Sequence, residues 1–248
     1  TVNGNTYEGL VPVTLDDGKS YYRIEVPMAA AEAAEDIILS VTLTVGVEEF
    51  TGTYTMSIPK YARKSIANSE SAKEVTLVKD VLAYIRAAYV YFGSESLEAV
   101  CNEIDTILAG YISDFAAVEG ETNITAGLKG VITVLGAKPS VRFILPEGIS
   151  ADGYTFTQDS RTLGYTTGTY TEDGVDYVYC EVELYAYQMI GEIEYTDGTN
   201  SGKYHINSYY SFVTTDDAHK DNAELISVVE KLYSYCKSAD AYRSSVTK

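Results

Sequence analysis

The sequence has few of the residues that build catalytic and metal sites. Its 248 residues include two His and three Cys. They include no Trp, and this absence counts against glycan binding because Trp gives the largest stacking surface. The H-E-x-x-H, C-x-x-C, EF-hand and G-x-S-x-G motifs, which mark zinc, redox, calcium and hydrolase sites, do not occur. Gly18-Lys19-Ser20 resembles the end of a phosphate-binding loop, but Val13 stands where that loop requires Gly. We therefore predict no catalytic residues, no metal ligands and no enzyme activity.

Acidic pairs are a weak signal for a surface Ca²⁺, which takes oxygen ligands. These pairs are Asp16-Asp17, Asp173 with Asp176, and Asp216-Asp217. Acidic turns usually face water, so we expect no bound cofactor. His205 occupies a predicted strand position and is interpreted as structural rather than as a general base.

Positive charge is scarce as well. The chain has 18 Lys and Arg against 36 Asp and Glu, which gives a net charge of −18 at pH 7. Nucleic acids and anionic membrane surfaces attract basic proteins, so this balance argues against both as partners. No apolar run reaches the roughly 18 residues that a membrane-spanning helix needs, and no signal peptide is visible at Thr1.

Three cysteines are too few for a disulfide framework. Cys180 belongs to an apolar alternation, and Cys101 and Cys236 lie on apolar helix faces. We interpret all three as buried free thiols, which behave as small apolar side chains. A disulfide between Cys180 and Cys236 is the main alternative.

An internal repeat is the most informative feature that the sequence does have. The helical stretch 77–92 lines up with 228–243, which places Tyr84 on Tyr235. The period of roughly 150 residues indicates two domain-sized copies rather than a short-repeat solenoid. Four upstream elements match in the same order: Ile58-Pro59-Lys60-Tyr61 with Ile206-Asn207-Ser208-Tyr209, Val41-x-Leu43-x-x-Gly46 with Ile193-x-Tyr195-x-x-Gly198, Glu25-Val26 with Glu181-Val182, and Asp16-Asp17-Gly18 with Glu172-Asp173-Gly174.

The repeat predicts two lobes. Lobe A covers residues 1–110, a linker rich in Gly, Glu and Thr covers 111–127, and lobe B covers 128–248. Lobe B opens with a predicted strand at 131–145, broken near Gly136-Ala137-Lys138-Pro139. The counterpart of this strand in lobe A would precede Thr1. Either lobe A lacks this opening strand or the chain was cut from a longer polypeptide, and we favour the cut.

Strands and helices are predicted from apolar spacing. Alternation and β-branched residues favour strands at 21–26, 37–45 and 51–57. Apolar stripes predict helices at 77–92, with a capping box from Ser71 to Glu74, at 96–108 and near the C-terminus. Each terminal stripe is expected to pack on the sheet of its own lobe. The predicted fold class is α+β, mainly β, with two similar β-sandwich-like lobes that each carry a packed C-terminal amphipathic helix.

One row of tyrosines and glutamates is the candidate ligand-binding face. On a single continuous strand these side chains would share a face opposite Cys180 and Val182. Aromatic rings suit the C–H face of a sugar, and carboxylates accept hydrogen bonds from its hydroxyls. The alternative is that the tyrosines support the helix or fill strand positions, since Tyr favours strands. The candidate residues are Tyr177, Tyr179, Glu181, Glu183, Tyr185 and Tyr187.

A second aromatic group lies among Gly and Thr residues and either rims a binding face or forms hairpins. Its members are Tyr154, Phe156, Tyr165 and Tyr170.

Four motifs carry a resemblance to a known class of proteins. They are "LVKDVLAYIRAAYVYFG" at 77–93, "LISVVEKLYSYCKSADAYR" at 225–243, "YTMSIPKYA" and "KYHINSYYSF". The chain resembles tandem-repeat modules of large surface and cellulosomal proteins from anaerobic Gram-positive (clostridial and ruminococcal) gut and rumen bacteria. The resemblance implies an extracellular, cell-surface, non-catalytic module, and it leaves glycan binding, adhesion and plain spacing open.

Three functions follow as hypotheses. The first is a non-catalytic module that binds plant polysaccharide or another host or bacterial surface component. The second is a structural spacer or protein-interaction module. The third is a glycoside hydrolase, which would need two carboxylates facing each other across a cleft.

Overall fold

Strands and helices alternate in blocks along the chain. A computed structural model describes residues 1–7, 10–14, 18–93, 97–116, 123–135 and 138–246, except for the side chain of Leu97. The described residues form helices as well as sheets, and all of these sheets are antiparallel, so the predicted mixed helix and strand content is confirmed. The expectation of a mainly β chain is wrong, because helices account for about as many of the described residues as strands do. Among the described residues, none of the helices combines the length and apolar character needed to cross a membrane.

Lobe A consists of two hairpins followed by a group of helices. Its elements are β1 (Pro12–Thr14), β2 (Ser20–Tyr22), β3 (Ile37–Val45), β4 (Glu48–Met56), α1 (Ile58–Asn68), α2 (Ala72–Phe92) and α3 (Leu97–Ile107). β1 pairs with β2, and β3 pairs with β4.

Lobe B contains two four-stranded sheets, ordered β5-β6-β10-β9 and β12-β11-β7-β8. Two helices, α4 and α5, follow the last strand. The elements are β5 (Gly130–Val134), β6 (Ser140–Ile144), β7 (Thr155–Gln158), β8 (Arg161–Leu163), β9 (Thr166–Glu172), β10 (Val175–Glu183), a 3-10 turn (Ala186–Gln188), β11 (Glu192–Thr196), β12 (Ser201–His205), α4 (Ser208–Thr215) and α5 (Ala223–Val246).

The expectation of one packed helix after each set of strands is wrong, because α1 and α4 come between the last strand and the long helix. The start of α1 has a clear local cause. The Ser57 hydroxyl accepts a hydrogen bond from the Lys60 backbone N–H at 3.4 Å, and Pro59 lies in the first turn. A serine cap followed by proline is a typical helix start, because proline has no N–H to leave unpaired there.

The predicted capping box at α2 is half confirmed. The Ser71 hydroxyl accepts a hydrogen bond from the backbone N–H of Glu74 at 3.3 Å. The Glu74 carboxylate accepts its own bond from the hydroxyl of Ser69 at 2.8 Å instead of reaching back to the cap. The helix start is therefore stabilised by two serines and one glutamate.

The long helices α2 and α5 pack along each other, and this contact joins the lobes. Tyr84 of α2 lies in the core cluster of lobe B, together with Leu232 of α5. The opposite side of α2 buries Leu82 and Tyr89 against α1 and α3 in a separate cluster. The long helix of lobe A thus packs on other helices rather than on the sheet of its own lobe, because helices cover both of its sides.

The core of lobe B collects side chains from both of its sheets. The Phe143 ring of β6 lies 4.7 Å from Phe156 of β7 and 5.7 Å from Tyr195 of β11, measured between ring centroids. Cys180 and Cys236 are buried in this cluster as free thiols. Cys101 is also free but only half-buried, so the expectation that all three are buried is wrong for Cys101. Burial raises the pKa of the Cys180 thiol to about 11 and raises that of Cys236 further.

The structure repeats one hairpin-helix-helix unit. Residues 37–92 run β3-β4-α1-α2, and residues 192–246 run β11-β12-α4-α5. The register also agrees: Val41 pairs with Gly52 and Leu43 with Phe50, while Ile193 pairs with Tyr204 and Tyr195 with Gly202. Within the described part of lobe A, no strands correspond to β5, β6, β7 and β8. The predicted opening strand at 131–145 is in fact the hairpin β5-β6, and its residues 136 and 137 lie outside the described residues.

The end of the predicted linker is bonded to lobe B. Ile124 forms a β-bridge with Lys203, and the Tyr195 hydroxyl donates to the carbonyl oxygens of Ile124 at 3.2 Å and Ala126 at 2.9 Å. The division into lobes at 110 and 128 stays a prediction.

Candidate functional site

The six candidate residues divide into two groups. The first group, Tyr177, Tyr179, Glu181 and Glu183, follows β10 on the face opposite the buried side chains of that strand. The second group, Tyr185 and Tyr187, lies beyond the end of the strand. We call the first group, together with the residues beside it on β6 and β9, the outer face of lobe B.

Tyr179 lies against the sheet surface. It stands opposite Gly168 of β9, and a Cβ atom built on Gly168 would collide with the Tyr179 ring. On the other side, the guanidinium carbon of Arg142 lies 4.7 Å from the centroid of the same ring. The glycine leaves room for the ring over β9, and the arginine holds it by a cation–π contact.

Tyr177 has a similar environment one step along β10. It stands opposite Tyr170 of β9, and the Lys129 ammonium lies 4.4 Å from the centroid of its ring. Lys129 also forms an ion pair with Glu172 at 2.6 Å. Both strand tyrosines are half-buried, so part of each ring remains accessible.

Glu181 is the most strongly held carboxylate of this face. It accepts hydrogen bonds from the Ser140 hydroxyl at 2.5 Å and from Arg142 Nε at 2.9 Å. Burial pushes the pKa of Glu181 upward, but these two hydrogen bonds outweigh burial and the net pKa is lowered. Glu183 is exposed and pairs with Lys138 at 3.1 Å. Glu181 is therefore a fixed acceptor, and Glu183 is an exposed charge paired with Lys138.

Tyr185 and Tyr187 do not continue the row. Their rings stack on each other at 5.7 Å between centroids and 7° between planes, and the guanidinium carbon of Arg243 on α5 lies 3.9 Å from the Tyr187 centroid. The ladder between β10 and β6 ends at Glu183 opposite Ser140, next to Pro139, which has no N–H to donate. The chain then turns into the 3-10 segment, with Tyr185 72% exposed.

The second aromatic group belongs mostly to the core. Tyr154 and Phe156 are buried, and the Tyr165 hydroxyl donates to the carbonyl of Ala151 at 3.1 Å. The hairpin interpretation therefore fits these three residues, while Tyr170 lies on the outer face beside Tyr177. The sequence patterns do not indicate Arg142 or Lys129 as partners of the tyrosine row. The placement of Arg142 between the apolar residues Val141 and Phe143 on β6 is the signal that could have found it.

The remaining candidates have ordinary structural partners. His205 is buried on β12, and its Nε2 lies 2.6 Å from a Glu192 carboxylate oxygen. Asp216 contacts His219 at 2.5 Å, and Asp217 contacts Lys220 at the same distance. In the described ranges, no three His, Cys, Asp or Glu side chains gather as a metal site. The pair Asp16-Asp17 lies outside the described residues.

The outer face therefore carries the rings of Tyr177 and Tyr179, the fixed Glu181 carboxylate and the Arg142 guanidinium on one side of the same sheet. Comparison with known proteins adds no assignment: the chain matches no family model, no curated protein and no solved structure.

Proposed function

We propose that the chain is a non-catalytic extracellular module that binds plant polysaccharide on the outer face of lobe B. The observation that carries the proposal is Tyr179, which lies over Gly168 and beside Arg142 and Glu181. Tyr179 is half-buried, and the part of its ring that Gly168 and Arg142 leave accessible has a fixed orientation. A sugar ring that stacks on it gives up little conformational freedom, because the protein side is already ordered.

The polar neighbours supply the hydrogen bonds that a sugar requires. Glu181 accepts and Arg142 donates, and both side chains are kept in place by their mutual contact at 2.9 Å. Sugar hydroxyls both donate and accept, so they can bond to either member of such a pair. The outer face thus combines stacking with directional polar contacts, as ligand sites commonly do.

The proposal also includes a cell-surface location for the chain and a sandwich arrangement of the two sheets in lobe B. The location rests on the sequence motifs that resemble modules of bacterial surface and cellulosomal proteins. A sandwich of the two sheets in lobe B is supported by the contacts of Phe143 with Phe156 and Tyr195.

The test is affinity electrophoresis of the chain through gels that contain soluble cellulose derivatives, xylans, glucans or mannans. We expect retardation in at least one gel. Tyr179→Ala and Tyr177→Ala should each reduce it by about ten-fold in apparent affinity, because stacking surface is removed. Tyr185→Ala is the matched control, since it removes an exposed tyrosine outside this face, and it should leave retardation unchanged.

Two results would contradict the proposal. One is the absence of retardation in every polysaccharide gel. The other is an equal loss of retardation in all three tyrosine variants, which would show that retardation does not depend on the outer face.

A further inference from the structure

The β3-β4 hairpin of lobe A has one apolar face and one polar face. Cross-strand pairs such as Thr42 with Thr51 give the polar face, with 3.0 Å between their hydroxyls. The other face carries Val41, Leu43 and Phe50, which are 56%, 60% and 55% exposed. A contiguous exposed patch of large apolar side chains marks an interaction surface more often than a free one.

The repeat shows what covers this face in the equivalent unit. Val41 corresponds to Ile193, and Leu43 corresponds to Tyr195. These two lobe B residues are 0% and 3% exposed. They are buried because the face of β11 and β12 packs against the sheet that contains β6, through contacts such as Phe143 with Tyr195. The same hairpin is thus covered in lobe B and open in lobe A.

The edge of β3 also accepts an additional strand. Val2 forms an antiparallel bridge with Leu39, and the backbone N–H of Asn3 donates to the carbonyl of Ile38 at 2.9 Å. In lobe B the matching edge of β11 pairs with β7, whose Phe156 stands opposite Tyr195. From Val41 to Val45, no described residue pairs with this edge of β3.

The covering segment of lobe B has a distinct charge. Residues 128–145, which include β5 and β6, carry Lys129, Lys138 and Arg142 and no acidic residue, in a chain with a net charge of −18. Arg142 bonds Glu181, and the corresponding residue in lobe A, Glu25, is exposed and forms an ion pair with Arg23. At the tip of the β3-β4 hairpin lie Glu48 and Glu49. The open face is therefore apolar at its centre and acidic at the tip of the hairpin.

We propose that the apolar face of β3-β4 is a docking site for a β-hairpin of another polypeptide that has alternating apolar residues and a net positive charge. The apolar residues of this hairpin would cover Val41, Leu43 and Phe50. It would lie across this face, as the sheet that contains β6 lies across β11 and β12 in lobe B. Its basic residues would meet the acidic tip formed by Glu48 and Glu49.

A second copy of the chain fits this face less well. Two copies would bring together two chains that each have an acidic hairpin tip and a net charge of −18. Like charges across an interface oppose association. A basic hairpin removes this repulsion, and its apolar face supplies the same coverage that lobe B obtains from its own sheet.

The test uses a fluorescein-labelled peptide of residues 128–146 and the full chain, with fluorescence anisotropy as the readout. This peptide has the proposed alternation and positive charge, and a shuffled peptide of identical composition is its control. We expect saturable binding of the first peptide and binding at least about ten-fold weaker for the shuffled one.

A pair of variants locates the binding. Leu43→Glu places a charge on the apolar face, and Thr42→Glu places the same charge on the polar face of the same exposed strand. We expect Leu43→Glu to weaken binding by at least about ten-fold and Thr42→Glu by less than about two-fold. Circular dichroism confirms that both variants fold.

The proposal is overturned if neither peptide binds, if both peptides bind equally, or if the two variants have the same effect. It is also overturned if the chain forms a dimer in sedimentation velocity that Leu43→Glu dissociates, because the occupant would then be a second copy. Glycan retardation tests the outer face of lobe B, whereas peptide binding tests the β3-β4 hairpin of lobe A. Failure of one proposal therefore leaves the other standing.

Discussion

Tyr84 and Tyr235 stack on each other, with 6.0 Å between ring centroids and 17° between ring planes. They also occupy equivalent positions in the two copies of the repeat, on α2 and α5. Equivalent residues meet each other where two like units are related by a two-fold axis, as in a symmetric dimer. The packing of α2 on α5 therefore resembles a dimer interface within one chain, and this stack lies at its centre.

The stack should contribute a measurable coupling between the two lobes. In a double-mutant cycle with Tyr84→Leu and Tyr235→Leu, we expect a coupling energy of about 0.5–1.5 kcal/mol, because aromatic pairs gain this much beyond area burial. Urea unfolding of the single and double variants measures it. The control cycle pairs Tyr84→Leu with Tyr185→Leu, which should be additive within about 0.5 kcal/mol. Additivity in the first cycle would contradict the proposed interface.

Gly168 should be required for the position of the Tyr179 ring. Gly168→Ala adds a Cβ that collides with this ring, so we expect a loss of about 1–3 kcal/mol in unfolding free energy and weaker polysaccharide retardation. Gly164→Ala is the control, since a Cβ at that position meets no atom within 4 Å. Unchanged stability and retardation in Gly168→Ala would show that the ring does not depend on this glycine.

Glu181 should stabilise lobe B in a pH-dependent way. Its pKa is lowered in the folded state, so its ionised form stabilises the fold above the unfolded pKa of about 4.3. This contribution is lost as the pH falls through the lower folded pKa. We expect Glu181→Gln to cost about 1–2 kcal/mol at pH 7, with the difference from the natural chain shrinking below about pH 4.

Urea unfolding at several pH values measures this difference. Glu183→Gln is the control, because its carboxylate forms an exposed ion pair with Lys138 and should cost less than about 1 kcal/mol. A Glu181→Gln difference that does not change between pH 7 and pH 3 would contradict the assigned role.

The alternation of residues along β10 predicted which side chains share the outer face as far as Glu183. It failed at Tyr185 because the ladder with β6 ends beside Pro139, and that limit depends on a strand far away in the sequence. The same distance explains why Arg142 was missed. Arg142 contacts Tyr179 and Glu181 in space, but neither residue is near it in the sequence.

The repeat predicted the equivalence of Val41 and Ile193, and the matching strand register agrees with it. It could not predict their opposite exposure. Both positions have the same apolar alternation along their strands, and alternation indicates that a strand has two faces without indicating what covers either one. In lobe B, coverage comes from side chains of the other sheet, such as Phe143 of β6, which lies in the same core cluster as Ile193.

The claim on which the account depends is that one unit occurs twice, covered in lobe B and open in lobe A. The most direct test compares the unfolding free energy lost when valine is shortened to alanine at these two equivalent positions. At position 41 this loss is the effect of Val41→Ala. At position 193 it is the effect of Ile193→Ala minus the effect of Ile193→Val. We predict a loss of about 2 kcal/mol of unfolding free energy at position 193 and less than about 1 kcal/mol at position 41. Equal losses at the two positions would contradict the account.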